Sequence, residues 1–197
     1  MTELLLIRHG QTAGNLRREY IGQTDEPLCP AGVGALREHL AGKRYPEADM
    51  VFVSPLLRCR QTAAIIYPQL SPLVIDDFRE CDFGAFEHKN YQDLSGSVAY
   101  QEWVASGGEL PFPGGESRAE FAARCIRGFE QVAELILYQH INRAALVVHG
   151  GTIMALLASY TGRGYYDFMT ENGGGWRVWL DRELWRQKRL PEPERLF

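Results

Sequence analysis

Several things are scarce in this 197-residue chain, and each scarcity narrows what it can do. Cysteine is limited to Cys29, Cys59, Cys81 and Cys125, widely spaced and without a C-x-x-C pair. That argues against a zinc cluster and a disulfide framework. It predicts small, partly buried thiols in a reducing compartment, the cytoplasm. Positive charge is not in excess: the formal net charge is −4, so no basic field draws in nucleic acid or an anionic membrane surface. No apolar run approaches the length of a membrane span, and the first residues, Glu3 among them, lack the basic lead of a signal peptide. What is present is an ordinary globular balance of 45% hydrophobic and 23% charged residues, in a length that suits one domain with a substantial core.

The apolar residues fall into short runs that alternate with helix-like stretches. Residues 3–8, Met50–Val53, Leu73–Ile75 and 144–148 read as strands. Pro30–Leu40, with Val33, Leu36 and Leu40 on one side, reads as a helix stopped by Gly42. Ser54-Pro55 reads as N-cap and first turn of a helix carrying Leu57, Ala63, Ala64 and Ile65 and ending before Pro68. Ser117 and Glu120 have capping-box spacing and open the longest helix, where Phe121, Cys125, Phe129, Val132 and Ile136 recur at helical intervals. Thr152–Tyr160 is a further helix, and 175–180 with 184–190 reads as a closing hairpin of strands. This alternation predicts an α/β single domain over 1–197, a three-layer sandwich with a mostly parallel central sheet. In such sheets functional groups collect at the carboxyl ends of the strands. From Asp76 to Gly115 the pattern dissolves into aromatics, acids and glycines, the natural place for a lid over that edge.

Two strands end alike: Leu4–Ile7 stops at Arg8-His9-Gly10, and Ala144–Val148 stops at His149-Gly150-Gly151. A lone strand-end histidine is usually structural. Two of them, each followed by glycine, point to a shared site, with Gly10 expected to leave room beside the imidazole. Neutral imidazole attacks phosphorus without a metal, and the helix start after Gly150 disfavours protonation of His149. On the residues alone, either histidine can be the nucleophile. Arg58 falls in the first turn of a helix, where the macrodipole disfavours a cation unless an anion sits between them. Its planar fork matches phosphate oxygens. Taken singly, such an arginine is more often a solvated partner of a carboxylate, as Arg60 reads. Glu80, after the third strand, is a candidate to protonate a leaving alcohol, with Asp77 and Asp82 as competitors. No H-x-x-x-H or Asp-rich run supports a metal site.

Leu6-Ile7-Arg8-His9-Gly10-Gln11-Thr12, followed by Asn15, resembles the R-H-G-[EQ]-T-x-x-N signature of the histidine phosphatase superfamily, phosphoglycerate mutase-like branch. The resemblance continues through Asp25–Leu28 and Gly32, Ser54–Ala63, Glu80–Gly84, Pro113–Ser117 and Val147–Gly151, from residue 3 to about 160. It implies that His9 is the nucleophile, forming a phosphohistidine. It implies that Arg8, Arg58 and His149 hold the phosphoryl oxygens, with Gln11, Asn15, Ile21, Gly22 and Gly150 as further binding residues. Glu80 is then the proton donor, and afterwards the base for water. No metal and no organic cofactor is implied, since the arginines and histidine supply the electrostatic stabilisation. The expected partner is a small-molecule phosphate ester, with neither nucleic acid nor membrane; a homodimer is left open.

Mutases of this branch carry an insert with extra basic residues. Phe83–Glu116 holds one lysine, Lys89, and no arginine, which favours hydrolysis. Asp82–Glu87 and the P-G-G-E-S segment look like α-ribazole phosphatases of cobalamin nucleotide-loop assembly. The expected activity is therefore α-ribazole 5'-phosphate hydrolysis. A broad-specificity phosphatase, a mutase-type transferase and a silent phospho-ligand binding module are the alternatives. Three positions depart from the family: Phe86 replaces a frequent tryptophan, His88 a frequent glycine, and Cys29 a usual threonine cap, the last at an expected cost of up to roughly 1 kcal/mol. Trp103, Trp176, Trp179 and Trp185 are expected in the core.

Overall fold

The computed structural model describes residues 1–197. In chain order its elements are β1 (Thr2–Arg8), α1 (Ala13–Leu16), α2 (Pro30–Ala41), β2 (Met50–Val53), α3 (Leu57–Ile66), β3 (Leu73–Val74), α4 (Tyr91–Leu94) and α5 (Val98–Ala105). They continue with α6 (Arg118–Gln139), β4 (Arg143–Val148), α7 (Gly150–Thr161), β5 (Gly175–Leu180), α8 (Arg182–Arg186) and β6 (Glu194–Arg195). The six strands lie in the order β3-β2-β4-β1-β5-β6, the first four parallel and the last two antiparallel to their neighbours.

Period-two alternation sorts each central strand onto two faces. Leu4 and Leu6 join Phe52, Leu146 and Val148 in a core of 28 buried residues shared with α6 and α7. Leu5 and Ile7 join Val51, Val53 and Val147 in a second core of 13, shared with α2 and α3. A strand buried on both faces must be apolar throughout, which is why these runs are continuous. The outcome is the three-layer α/β sandwich. Register then sets the active edge: Arg8 pairs with Val148 and Val53 with Val147, so His9, Ser54 and His149 leave the sheet at one level.

Some local expectations change. Residues 184–190 form no strand; Asp181 accepts hydrogen bonds from the amides of Glu183 (2.9 Å) and Leu184 (3.1 Å) and caps α8 instead. The strand beside β5 is Glu194–Arg195. Ser54 does not cap α3, which starts at Leu57. The cap comes from another segment, as Asp25 Oδ1 accepts from the Leu57 amide at 2.5 Å. Cys29 does cap α2, its Sγ accepting from the Gly32 amide at 3.4 Å. Within 76–115, α4 and α5 are capped by Asn90, which accepts from the Gln92 and Asp93 amides, and by Ser97, which accepts from the Tyr100 amide. Trp176 and Trp185 are buried, whereas Trp179, on the outward face of β5, is 37% exposed.

Candidate active site

His9 is buried, and its Nδ1 lies 2.7 Å from the Gly10 carbonyl oxygen. A carbonyl can only accept, so Nδ1 carries the proton and the neutral ring keeps its lone pair on Nε2. Burial, reinforced by Arg58 and Arg8, holds the His9 pKa well below the usual histidine range. His149, fully buried, stands with its ring centroid 5.2 Å from that of His9. Its Nε2 is 2.8 Å from Ser54 Oγ, so the serine read as a helix cap serves as the histidine's partner. Burial comes first in depressing the His149 pKa too, followed by Arg58, His9 and Arg8.

Arg58 is completely buried, while Arg60 is exposed. Its guanidinium donates to the carbonyls of Thr24 (2.7 Å), Gly22 (2.8 Å) and Ile21 (3.4 Å). Arg8 donates to the Thr170 carbonyl at 2.7 Å, and its pKa is lowered, chiefly by burial. The Nε atoms of both arginines are buried and have no hydrogen-bond partner in the protein. Orphaned guanidinium donors at one sheet edge suit an anion with several oxygens.

Glu80 is buried and accepts from the Cys81 amide at 2.9 Å. Burial raises its pKa above the usual carboxylate value, against the opposing pull of that amide, Arg58, Arg8 and the Gly151 amide. Its competitors are engaged elsewhere: Asp77 pairs with Arg127 at 3.0 Å, and Asp82 accepts from the Gly84 amide at 2.9 Å. The glycine that makes room is Gly151, where a Cβ would lie 2.6 Å from Glu80 Oε1. Gly10 does not leave space beside the imidazole as expected. A Cβ there would meet Leu36 Cδ1 at 2.7 Å, so packing of α2 demands that glycine. Gly150 faces Arg8, with a Cβ position 3.4 Å from Arg8 Nε.

The remaining sequence-predicted residues are arranged unevenly. Asn15 Oδ1 accepts from the Thr12 amide (3.2 Å) and from Asn172 Nδ2 (3.0 Å), which leaves its own amide group as donor. Ile21 and Gly22 meet the site through Arg58, and the Gly22 amide is taken by Glu87. Gln11 lines a neighbouring cleft of about 470 Å³ beside Arg8 and Asn172. Sequence reasoning missed Asn172, which also donates to the His9 carbonyl at 3.1 Å, and Thr62. The buried Thr62 hydroxyl accepts from the Gly10 amide at 2.9 Å and donates to the Arg58 carbonyl at 2.7 Å. No local signal marks such long-range partners.

On the far side of Glu80 is a cavity of about 200 Å³, walled by Tyr20, Phe83, Trp103, Phe112 and Tyr165 among others. The arrangement thus offers a neutral imidazole, two unpaired arginine Nε donors and a carboxyl with a raised pKa beside an apolar chamber. Such a set can transfer a phosphoryl group from an ester to a nitrogen and on to water.

Known proteins share this plan. The model of the histidine phosphatase superfamily (branch 1) matches residues 4–189. The phosphatase PhoE of Bacillus subtilis is 32% identical over 165 residues, covering 82% of this chain and 79% of that one. The crystal structure of the α-ribazole phosphatase from Shigella flexneri superposes with a TM-score of 0.81 at 26% identity, over 96% of this chain and 93% of that one. A phosphoglycerate mutase from Thermus thermophilus gives a TM-score of 0.72 at 29% identity, over 98% of each chain. With its strand-end histidines and arginines on the same scaffold, this chain belongs to the histidine phosphatase superfamily and is an enzyme of the phosphatase class.

Proposed function

We propose that the enzyme hydrolyses a phosphomonoester through a phosphohistidine on His9, and that its substrate is α-ribazole 5'-phosphate or an ester with a similarly aromatic alcohol. The observation that carries this reading is Glu80, a buried carboxyl that lines an aromatic chamber while lying within the electrostatic reach of both arginines. The phosphoryl group binds at the orphaned arginine donors. His9 Nε2 attacks phosphorus, the ester P–O bond breaks, and the leaving oxygen takes the Glu80 proton. A water then gives its proton to the Glu80 carboxylate as its oxygen attacks phosphorus. The P–N bond breaks, its electron pair returns to His9, and inorganic phosphate leaves. Residues 76–115 act as a lid that supplies Phe83, Trp103, Gly108 and Phe112 to the leaving-group chamber.

Hydrolysis is favoured over the mutase reaction by the chamber's charge. Arg118 is its only basic lining residue, and it is ion-paired with Glu109. A glycerate carboxylate would be buried there without a free cation. Four free thiols are in keeping with a cytoplasmic location for this chemistry.

The test is a phosphate-release panel of α-ribazole 5'-phosphate, ribose 5-phosphate, phosphoserine and 3-phosphoglycerate, with the enzyme quenched in acid and in base. The expected result is a base-stable, acid-labile phosphoenzyme and a kcat/KM at least about tenfold higher for the aromatic ester than for ribose 5-phosphate. Equal rates on those two esters would remove the aromatic-substrate reading, and formation of 2-phosphoglycerate outpacing phosphate release would replace hydrolysis by mutase chemistry.

A further inference from the structure

Arg58 is a buried cation whose hydrogen bonds all go to carbonyl oxygens and none to a carboxylate. An uncompensated buried charge is costly. Besides Glu80, a second carboxylate lies one peptide layer away. Glu87 Oε1 accepts from the amides of Gly22 (2.9 Å) and Thr24 (3.0 Å), and Oε2 also takes the Gly22 amide at 3.1 Å. The peptide joining Ile21 to Gly22 therefore offers its N–H to Glu87 and its C=O to Arg58. The neighbouring carbonyls of Gly22 and Thr24 take the two shorter arginine bonds.

The loop between these two side chains is clamped along its length. The Tyr20 amide donates to the Lys89 carbonyl at 2.9 Å, and the His88 amide to the Tyr20 carbonyl at 3.0 Å. His88 holds a φ of 60°, the left-handed region that glycine adopts without strain, and its Nε2 reaches Thr24 Oγ1 at 3.0 Å. Gly22 is pressed so closely on the next segment that a Cβ would lie 2.0 Å from the Cys81 carbonyl oxygen. At the other end Asp25 caps the helix that carries Arg58.

We propose that Glu87 is a positioning residue for Arg58: through the Gly22 and Thr24 amides it fixes the loop whose carbonyls hold the guanidinium, and it polarises the Ile21 carbonyl. The indirect route has a physical reason. A carboxylate in direct contact would occupy the fork and neutralise it, whereas a carboxylate behind a peptide layer anchors the arginine and leaves its Nε unpartnered. Chained hydrogen bonds through a peptide strengthen one another, so the negative charge is felt without being in the site. The proposal rests on the phosphoryl-binding role given to Arg58 above.

The test is a double-mutant cycle on the full-length enzyme, using Glu87→Gln, Arg58→Ala and their combination. It is read by calorimetric titration with inorganic phosphate and by hydrolysis of p-nitrophenyl phosphate. Glu87→Gln is expected to weaken phosphate binding about tenfold and to lower kcat/KM by about 10- to 100-fold, while changing either quantity less than about twofold when Arg58 is already alanine. Glu87→Asp, which keeps the charge on a shorter arm, is expected to recover part of the loss, and it carries the same comparison if the glutamine variant does not fold. Equal losses with and without Arg58 would overturn the proposal. If the wild-type enzyme binds phosphate but hydrolyses no ester, the functional reading fails while the phosphate titration still decides the role of Glu87.

Discussion

On one side of Glu80 stand Arg8 and two histidines at strand ends, with Arg58 from the first turn of α3; on the other lies a chamber walled by tyrosine, phenylalanine and tryptophan rings. The two sides are held in different ways. The phosphoryl side hangs from the register of β1, β2 and β4 and from directed bonds such as Gly10 amide to Thr62 and His149 to Ser54. The aromatic side is assembled from residues 76–115, α6, α7 and the turn at Tyr165, by ring-to-ring contacts such as Phe83–Phe112 and Trp103–Phe112, each 5.0 Å between centroids. Hydrogen-bonded geometry tolerates little displacement, whereas apolar packing accepts volume-conserving exchange. The phosphoryl side is thus built rigidly, and the aromatic side adaptably.

The sharpest way to break that division is to remove the nucleophile. His9→Ala is expected to lower kcat on the order of 10⁵-fold for every ester and to abolish the base-stable, acid-labile phosphoenzyme. A labelled protein surviving in that variant would move the nucleophile to His149. Glu80→Gln comes next, with a loss of about 10²- to 10⁴-fold that is larger for alkyl alcohols than for p-nitrophenol, since a poor leaving group needs the proton more. The wild-type to variant ratio should shrink as pH rises through the raised Glu80 pKa, because only the protonated carboxyl donates. A ratio independent of pH would take Glu80 out of the proton transfer.

On the aromatic side, Phe112→Ala is expected to raise KM about tenfold for α-ribazole 5'-phosphate and to leave ribose 5-phosphate within about twofold. Equal effects on both would merge the two regions into one.

The smallest effect is on stability. His9 and His149 have folded pKa values below 6.5, so the unfolded chain binds protons more readily. The stability of the neutral pair is complete above that pH and is lost as pH falls towards the folded values. Glu80 runs oppositely: its raised pKa adds stability that is complete below 4.5 and is lost as pH rises through the folded value. Acidification from about pH 7 to about pH 5 is expected to lower the melting temperature by several degrees, less so in His149→Gln. Identical slopes in the two proteins would show that His149 does not titrate with unfolding.

Much of the fold was legible because it follows from periodicity. Continuous apolar runs marked β1, β2 and β4, and Ser117 with Glu120 marked the start of α6. The error at 184–190 shows the limit. A short apolar spacing fits strand or helix, and the cap at Asp181 settled it. The short helices inside 76–115 carried cap residues, Asn90 and Ser97, but too few periodic positions to stand out.

What the sequence determined by itself was the pair of strands ending in histidine and glycine, the arginine after Ser54-Pro55, and the sheet that brings them to one edge. These depend on local pattern and on strand order. The tertiary structure alone decided that Ser54 serves His149, that Asp25 caps the Arg58 helix, that Asn172 orients Asn15, and that Gly151 rather than Gly10 makes room in the site. Each is a hydrogen bond or close approach between residues far apart in the chain. Such contacts leave no period or spacing behind, because only the packed layers set which distant side chains meet.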